Sequence, residues 1–87
     1  MMDEADLLRS LVDEIKRQDN KHGPFEGTIL GKSRLALACI EDELEEALIA
    51  WRMERFEGHW AETRQEVLQV AAVAMRALRD ALHDPYS

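Results

Sequence analysis

Cysteine is nearly missing from this chain, with Cys39 alone, and one thiol cannot close an internal disulfide. A reducing compartment is therefore permitted, and Cys39 is expected as a small apolar side chain on a helix. Proline occurs only twice, which leaves room for long helices. Positive charge is scarce as well. Eleven Lys and Arg stand against 18 Asp and Glu, a net charge of −7, which argues against a nucleic-acid polymer or an anionic membrane as partner, since both require a basic surface. No apolar run approaches the 18 or so residues of a membrane span. The opening MMDEADLLRS is acidic where a signal peptide is basic, so a cytoplasmic protein is expected. Aromatic residues make up 6% of the chain, and any stacking pocket is poorly marked.

What the chain has is 46% hydrophobic and 33% charged residues, arranged with helical periods. Its 87 residues fit one all-α domain, 1–87, whose core is thin, because a chain of this size buries only somewhat more than about 60% of its unfolded surface. Asp3 is a fair N-cap with Glu4 and Asp6 behind it. Leu7, Leu8, Leu11, Val12 and Ile15 recur every three or four residues, predicting an amphipathic helix to about Asp19, stopped by Gly23-Pro24. A loop is expected over Lys21 to Lys32, and a second helix from a cap at Ser33 to about Phe56, ended by Gly58. The third helix starts around His59 to Thr63 and closes at Pro85, with Thr63-x-x-Glu66 readable as a capping box.

The second helix carries the most informative stretch, CIEDELEEALIAW from Cys39 to Trp51, with five acids among six consecutive positions. At 100° per residue, Leu37, Ile40, Leu44, Ala47, Leu48 and Trp51 gather on one face, with Glu43 on its flank and Glu46 one turn on. Trp51 is expected in the core. Small or apolar neighbours above and below this carboxylate pair make ionisation costly unless a cation sits between them. A divalent cation with oxygen ligands is the usual remedy.

On the third helix Glu62, Glu66, Gln69, Val73 and Arg76 share one stripe. Either this is a solvent face, or Glu66 and Gln69 meet Glu43 and Glu46 across an antiparallel pair, so that two helices present four side chains to one point. VLQVAAVAM, from Val67 to Met75, is apolar nearly all round. Three helices of one short chain cannot cover it, which predicts packing against a second copy in a four-helix arrangement about a two-fold axis. The loop gathers Lys21, His22 and Lys32, with Arg34 beyond. This is either a solvated loop or a phosphate-facing lid.

Glu43-x-x-Glu46 followed by Glu66-x-x-Gln69 resembles the Glu-x-x-Glu, Glu-x-x-Asp signature of the all-alpha NTP pyrophosphohydrolases, the MazG-like superfamily. HGPF, DELEEA and QVAAVAMRAL resemble small bacterial and phage members, over about residues 20 to 82. The resemblance implies a MazG-like helical bundle completed by oligomerisation, as a homodimer or homotetramer. It also implies hydrolysis of a nucleoside triphosphate between its α and β phosphates, giving a nucleoside monophosphate and pyrophosphate. Mg²⁺, with Mn²⁺ as a substitute, would be held by Glu43, Glu46, Glu66 and Gln69. Glu43 or Glu46 would take a proton from the attacking water, and Lys21, His22, Lys32, Arg34 and Arg76 would meet the substrate. Gln69 departs from the aspartate of that signature and brings no charge. Asp42, Glu45 or Glu62 could compensate, and the alternative is a non-catalytic helical module binding a nucleotide or a protein, with a degenerate metal site. A di-iron carboxylate bundle fits poorly, because Glu-x-x-His pairs are absent.

Overall fold

The structure, a computed structural model, describes residues 2–82. Three helices run in order: α1 (Glu4–His22), α2 (Ile29–Glu54) and α3 (Ala61–Asp80). α3 ends at Asp80, short of the expected stop at Pro85, which lies outside the described residues.

Local chemistry sets the boundaries. Asp3 caps α1, its carboxylate accepting from the Asp6 N–H at 2.8 Å. The helix continues beyond Asp19 to His22, where Gly23 takes φ of 72° and its N–H closes on the Asp19 carbonyl, a conformation glycine adopts without strain. α2 begins earlier than Ser33. Thr28 is its cap, with Oγ1 accepting from Gly31 N–H at 3.0 Å, while the Ser33 hydroxyl donates back to the Leu30 carbonyl at 2.9 Å. The expected long loop thus shrinks to residues 23–28, and Lys32 and Arg34 stand on helix. Gly58, at φ 77°, donates its N–H to the Glu54 carbonyl and closes the turn after α2.

At the start of α3 the predicted capping box does not form. Thr63 already lies inside the helix, and no side chain of the Trp60 cap position serves it. The carboxylate of Glu54 instead accepts from the N–H groups of Glu62 and Thr63 and from the Thr63 hydroxyl. A residue from the preceding helix does the work expected of Glu66.

α3 is the central element. It packs against α2 on one side and α1 on the other, whereas α1 and α2 make no close backbone approach among the described residues. The α2–α3 seam is built from small residues: Ala36, Ala77 and Ala81 form its buried cluster, with Phe25 and Ile40 against it. The large apolar residues are elsewhere. Leu37, Leu44, Leu48 and Trp51, grouped by the periodicity on one face, remain between 40% and 55% exposed, so Trp51 is not a core residue within the chain. Its ring lies under the Arg55 guanidinium, 4.8 Å from centroid to Cζ. On α1 the buried residues are polar, Glu14 and Gln18. No helix of the described chain is long and apolar enough to cross a membrane.

Candidate metal centre

Because α1 and α2 stand apart over α3, a cleft runs between them. Its volume is about 560 Å³. α1 contributes Arg17, Gln18, Lys21 and His22, α2 contributes Leu35, Cys39, Asp42, Glu43 and Glu46, and α3 forms the floor with Gln69, Val73 and Arg76. Phe25 and Pro24 close the end nearest the loop.

At the other end three carboxylates converge. Glu43, Glu46 and Glu66 each bring one oxygen to within 4.8 Å of the others. The helical spacing i, i+3 places Glu43 and Glu46 on one face of α2, and the small seam residues let α3 bring Glu66 opposite them. Burial first, then the charges of Glu46 and Glu66, push the Glu43 carboxyl above its ordinary value. Glu66 is raised likewise, by burial and by the charges of Glu46 and Glu62. The carboxylates therefore sit together against their own repulsion.

Gln69 joins them. With its amide nitrogen turned toward the acids, it donates at 3.2 Å to Glu66 Oε2 and at 3.2 Å to Glu43 Oε2. A half-turn about its last bond would present the amide oxygen instead, and the set would become three carboxylates and one neutral oxygen. Such hard oxygen donors suit Mg²⁺ or Mn²⁺. Of the acids considered as substitutes, Asp42 lines the cleft. Glu45 instead borders a shallow hollow with Leu48, Ile49 and Arg52, and Glu62 gives its backbone N–H to Glu54.

The cations divide. Lys21 and His22 line the cleft, at the last turn of α1. Lys32 and Arg34 do not line it. Arg76 does, but its guanidinium is engaged: Nε donates to Asp19 Oδ1 at 2.9 Å, Nη1 to Gln18 Oε1 at 3.4 Å, and Nη2 to the Gly23 carbonyl. Its Cζ stands 4.9 Å from the Phe25 ring centroid. This 3%-exposed residue fastens the end of α1 and the loop to α3.

Arg17, Gln18 and Glu14 were not singled out by periodicity. The stripe Leu7, Leu11, Glu14, Gln18 keeps helical spacing but changes from apolar to polar halfway. That change, legible in the sequence, coincides with burial: Leu7 is exposed, whereas Glu14 and Gln18 are the buried residues of α1. No protein-family model, curated protein or solved structure matches the chain.

Proposed function

We propose that the chain is a Mg²⁺-dependent nucleoside triphosphate pyrophosphohydrolase of the MazG-like kind, acting in the cytoplasm as a homodimer or homotetramer. The observation that carries this reading is the convergence of Glu43, Glu46 and Glu66 within 4.8 Å at one end of a cleft whose other end is basic and apolar.

Glu43, Glu46 and Glu66 would hold the cation, with the Gln69 amide oxygen beside them. When bound, it supplies neutralisation of phosphate oxygens and a lowered pKa for the attacking water. The chain's own groups do the rest. A carboxylate of Glu43 or Glu46 takes the proton of the water that attacks the α-phosphorus, and the pyrophosphate leaves. Lys21 and His22 meet the phosphate chain, while Phe25 offers apolar surface to the nucleoside.

The oligomer has separate support. No large side chain of the described residues is fully buried, and Leu37, Leu44, Leu78 and Met75 are each about half exposed. A second copy laid on α2 and α3 would cover them.

One observation favours the alternative, a non-catalytic helical module that binds a nucleotide or a protein. With its nitrogen turned toward the acids, the Gln69 amide gives Glu43 and Glu66 a neutral donor, as a degenerate metal site would. Pyrophosphate release from ribo- and deoxynucleoside triphosphates, with Mg²⁺ or Mn²⁺, separates the two. Release that needs metal and vanishes in Glu43→Gln supports the enzyme. Silence in the parent with activity in Gln69→Asp points to a disabled site, and silence in both to the interaction module.

A further inference from the structure

We infer that Arg17 is a polyphosphate-binding residue of this cleft, aimed by the buried carboxylate of Glu14. That role rests on the metal-dependent reading above and adds to it a residue and the support that positions it.

Glu14, Arg17, Gln18 and Lys21 lie on one face of α1, three or four residues apart. Glu14 accepts Arg17 Nε at 2.8 Å on Oε1 and 3.1 Å on Oε2, and Arg17 Nη2 at 2.6 Å. Gln18 Nε2 braces the same carboxylate at 3.0 Å and reaches the Gln69 carbonyl at 3.2 Å. The guanidinium plane is thereby fixed through Gln18 to the helix that carries Glu66 and Gln69.

The exposures are unequal. The Glu14 side chain is 4% accessible and that of Arg17 is 52%. An ordinary i, i+3 surface pair leaves both partners in water and contributes little. Here the carboxylate is sunk and the cation is left at the cleft, on the α1 wall across from Glu43 and Glu46 on α2. Arg17 Nη1 has no hydrogen-bond partner among the described residues. The remaining cations are placed differently, because Arg76 is consumed by Asp19, Gln18 and Gly23, and Lys21 lies one turn farther from the carboxylates.

A guanidinium with two nitrogens tied and one edge free suits phosphate oxygens, which it can meet with parallel charged hydrogen bonds. A divalent cation offsets two of the three charges of Glu43, Glu46 and Glu66, and on the α1 wall, where Glu14 balances Arg17, the charge of Lys21 remains. Arg17 and Lys21 then form a track for the anionic part of a ligand.

The test is calorimetric titration of the full chain with inorganic tripolyphosphate at saturating Mg²⁺ and, separately, with Mn²⁺ alone. Arg17→Met is expected to weaken tripolyphosphate binding about tenfold or more while binding Mn²⁺ as tightly as the parent or more so, since a cation has left the vicinity of the acids. Arg17→Lys recovers only part of the loss. Glu14→Gln weakens tripolyphosphate binding but adds nothing in the Arg17→Met background, because its effect runs through Arg17. Unchanged tripolyphosphate binding in Arg17→Met overturns the role, as does loss of Mn²⁺ binding in the same variant, which would mark a structural residue. An undiminished Glu14→Gln effect in the double variant overturns the positioning. A parent that binds no Mn²⁺ overturns the metal-dependent reading and this role together, whereas one that binds Mn²⁺ but not tripolyphosphate overturns this role alone.

Discussion

The carboxylate of Glu54, the last residue of α2, holds Thr63 in the first turn of α3 through both its backbone N–H and its hydroxyl. A third bond comes from the Glu62 N–H at 3.1 Å, and the His59 Nδ1 lies 2.8 Å away. One side chain thus fixes the angle between the two helices that carry the acids. It also releases Glu66 from capping.

Acid should undo this joint. Burial works to raise the Glu54 pKa, but the Thr63 and Glu62 donors and the His59 ring outweigh it and bring the value to about 2. Asp19 is brought to about 2 as well, chiefly by its bonds from Arg79 and against burial. Both folded values lie below the ordinary carboxylate value near 4, so their stabilisation is complete above it and is lost as the pH falls through it toward 2. Thermal melts from pH 7 to 2 are expected to drop steeply below about pH 4. Glu54→Gln should lower Tm at neutral pH and flatten that drop; an unchanged profile would exclude Glu54 as the joint.

Glu43 has the opposite sign. Its raised value means that metal-free protein gains stability as the pH falls through the range just above the ordinary carboxylate value, and loses it again as the pH rises. Glu43→Gln is therefore expected to melt at the same temperature as the parent or higher in metal-free buffer. Pyrophosphate release should fall about 100-fold or more, the low end for loss of a general base. A large loss of stability in this variant would show that Glu43 is a structural partner.

Gln69→Asp adds a fourth acid to the group. Without metal it should lower Tm by repulsion among the carboxylates. With Mg²⁺ the rise in Tm should exceed that of the parent, because ligand binding to the folded state stabilises in proportion to affinity. Differential scanning with and without Mg²⁺ reads both effects, and an equal rise in the two proteins would remove Gln69 from the metal centre.

Arg76→Met removes three donors from the junction of α1, the loop and α3. A cost of about 1.5–3 kcal/mol in urea denaturation is expected, since Asp19 keeps Arg79 at 2.9 Å. A change within experimental error would mean that Gln18, Asp19 and Gly23 find water at no cost.

Light scattering at micromolar concentration should give at least a dimer, and Leu78→Glu, on the exposed side of α3, should shift it toward monomer. A monomeric parent would remove the second copy from the proposal.

Much of the fold was legible because it follows from local chemistry. Asp3, Gly23 and Gly58 mark boundaries through caps that one or two residues determine. Ser33 misled because Thr28 offers an equivalent hydroxyl one turn earlier, and Gly31 between them tolerates helix. The carboxylate group was legible from spacing on α2 and α3. Which face of α2 turns inward was not, because periodicity groups large apolar residues without stating whether α3 or another surface covers them. The alanine seam takes α3, and the leucines stay outside. Arg17 and Glu54 were hidden for a related reason, since an acid or a cation within a polar run looks solvated until a distant element supplies its partner.

The cleft has walls of unlike material. α2 meets α3 through alanines in close contact, while the polar ties from α1 to α3 run through Gln18 and the pairs of Asp19 with Arg76 and Arg79. Salts therefore act on the two walls in different senses. An ion that screens charge loosens α1, whereas a strongly excluded one such as sulfate tightens apolar contact. The choice of electrolyte becomes a way to open one side of the molecule while the other stays shut.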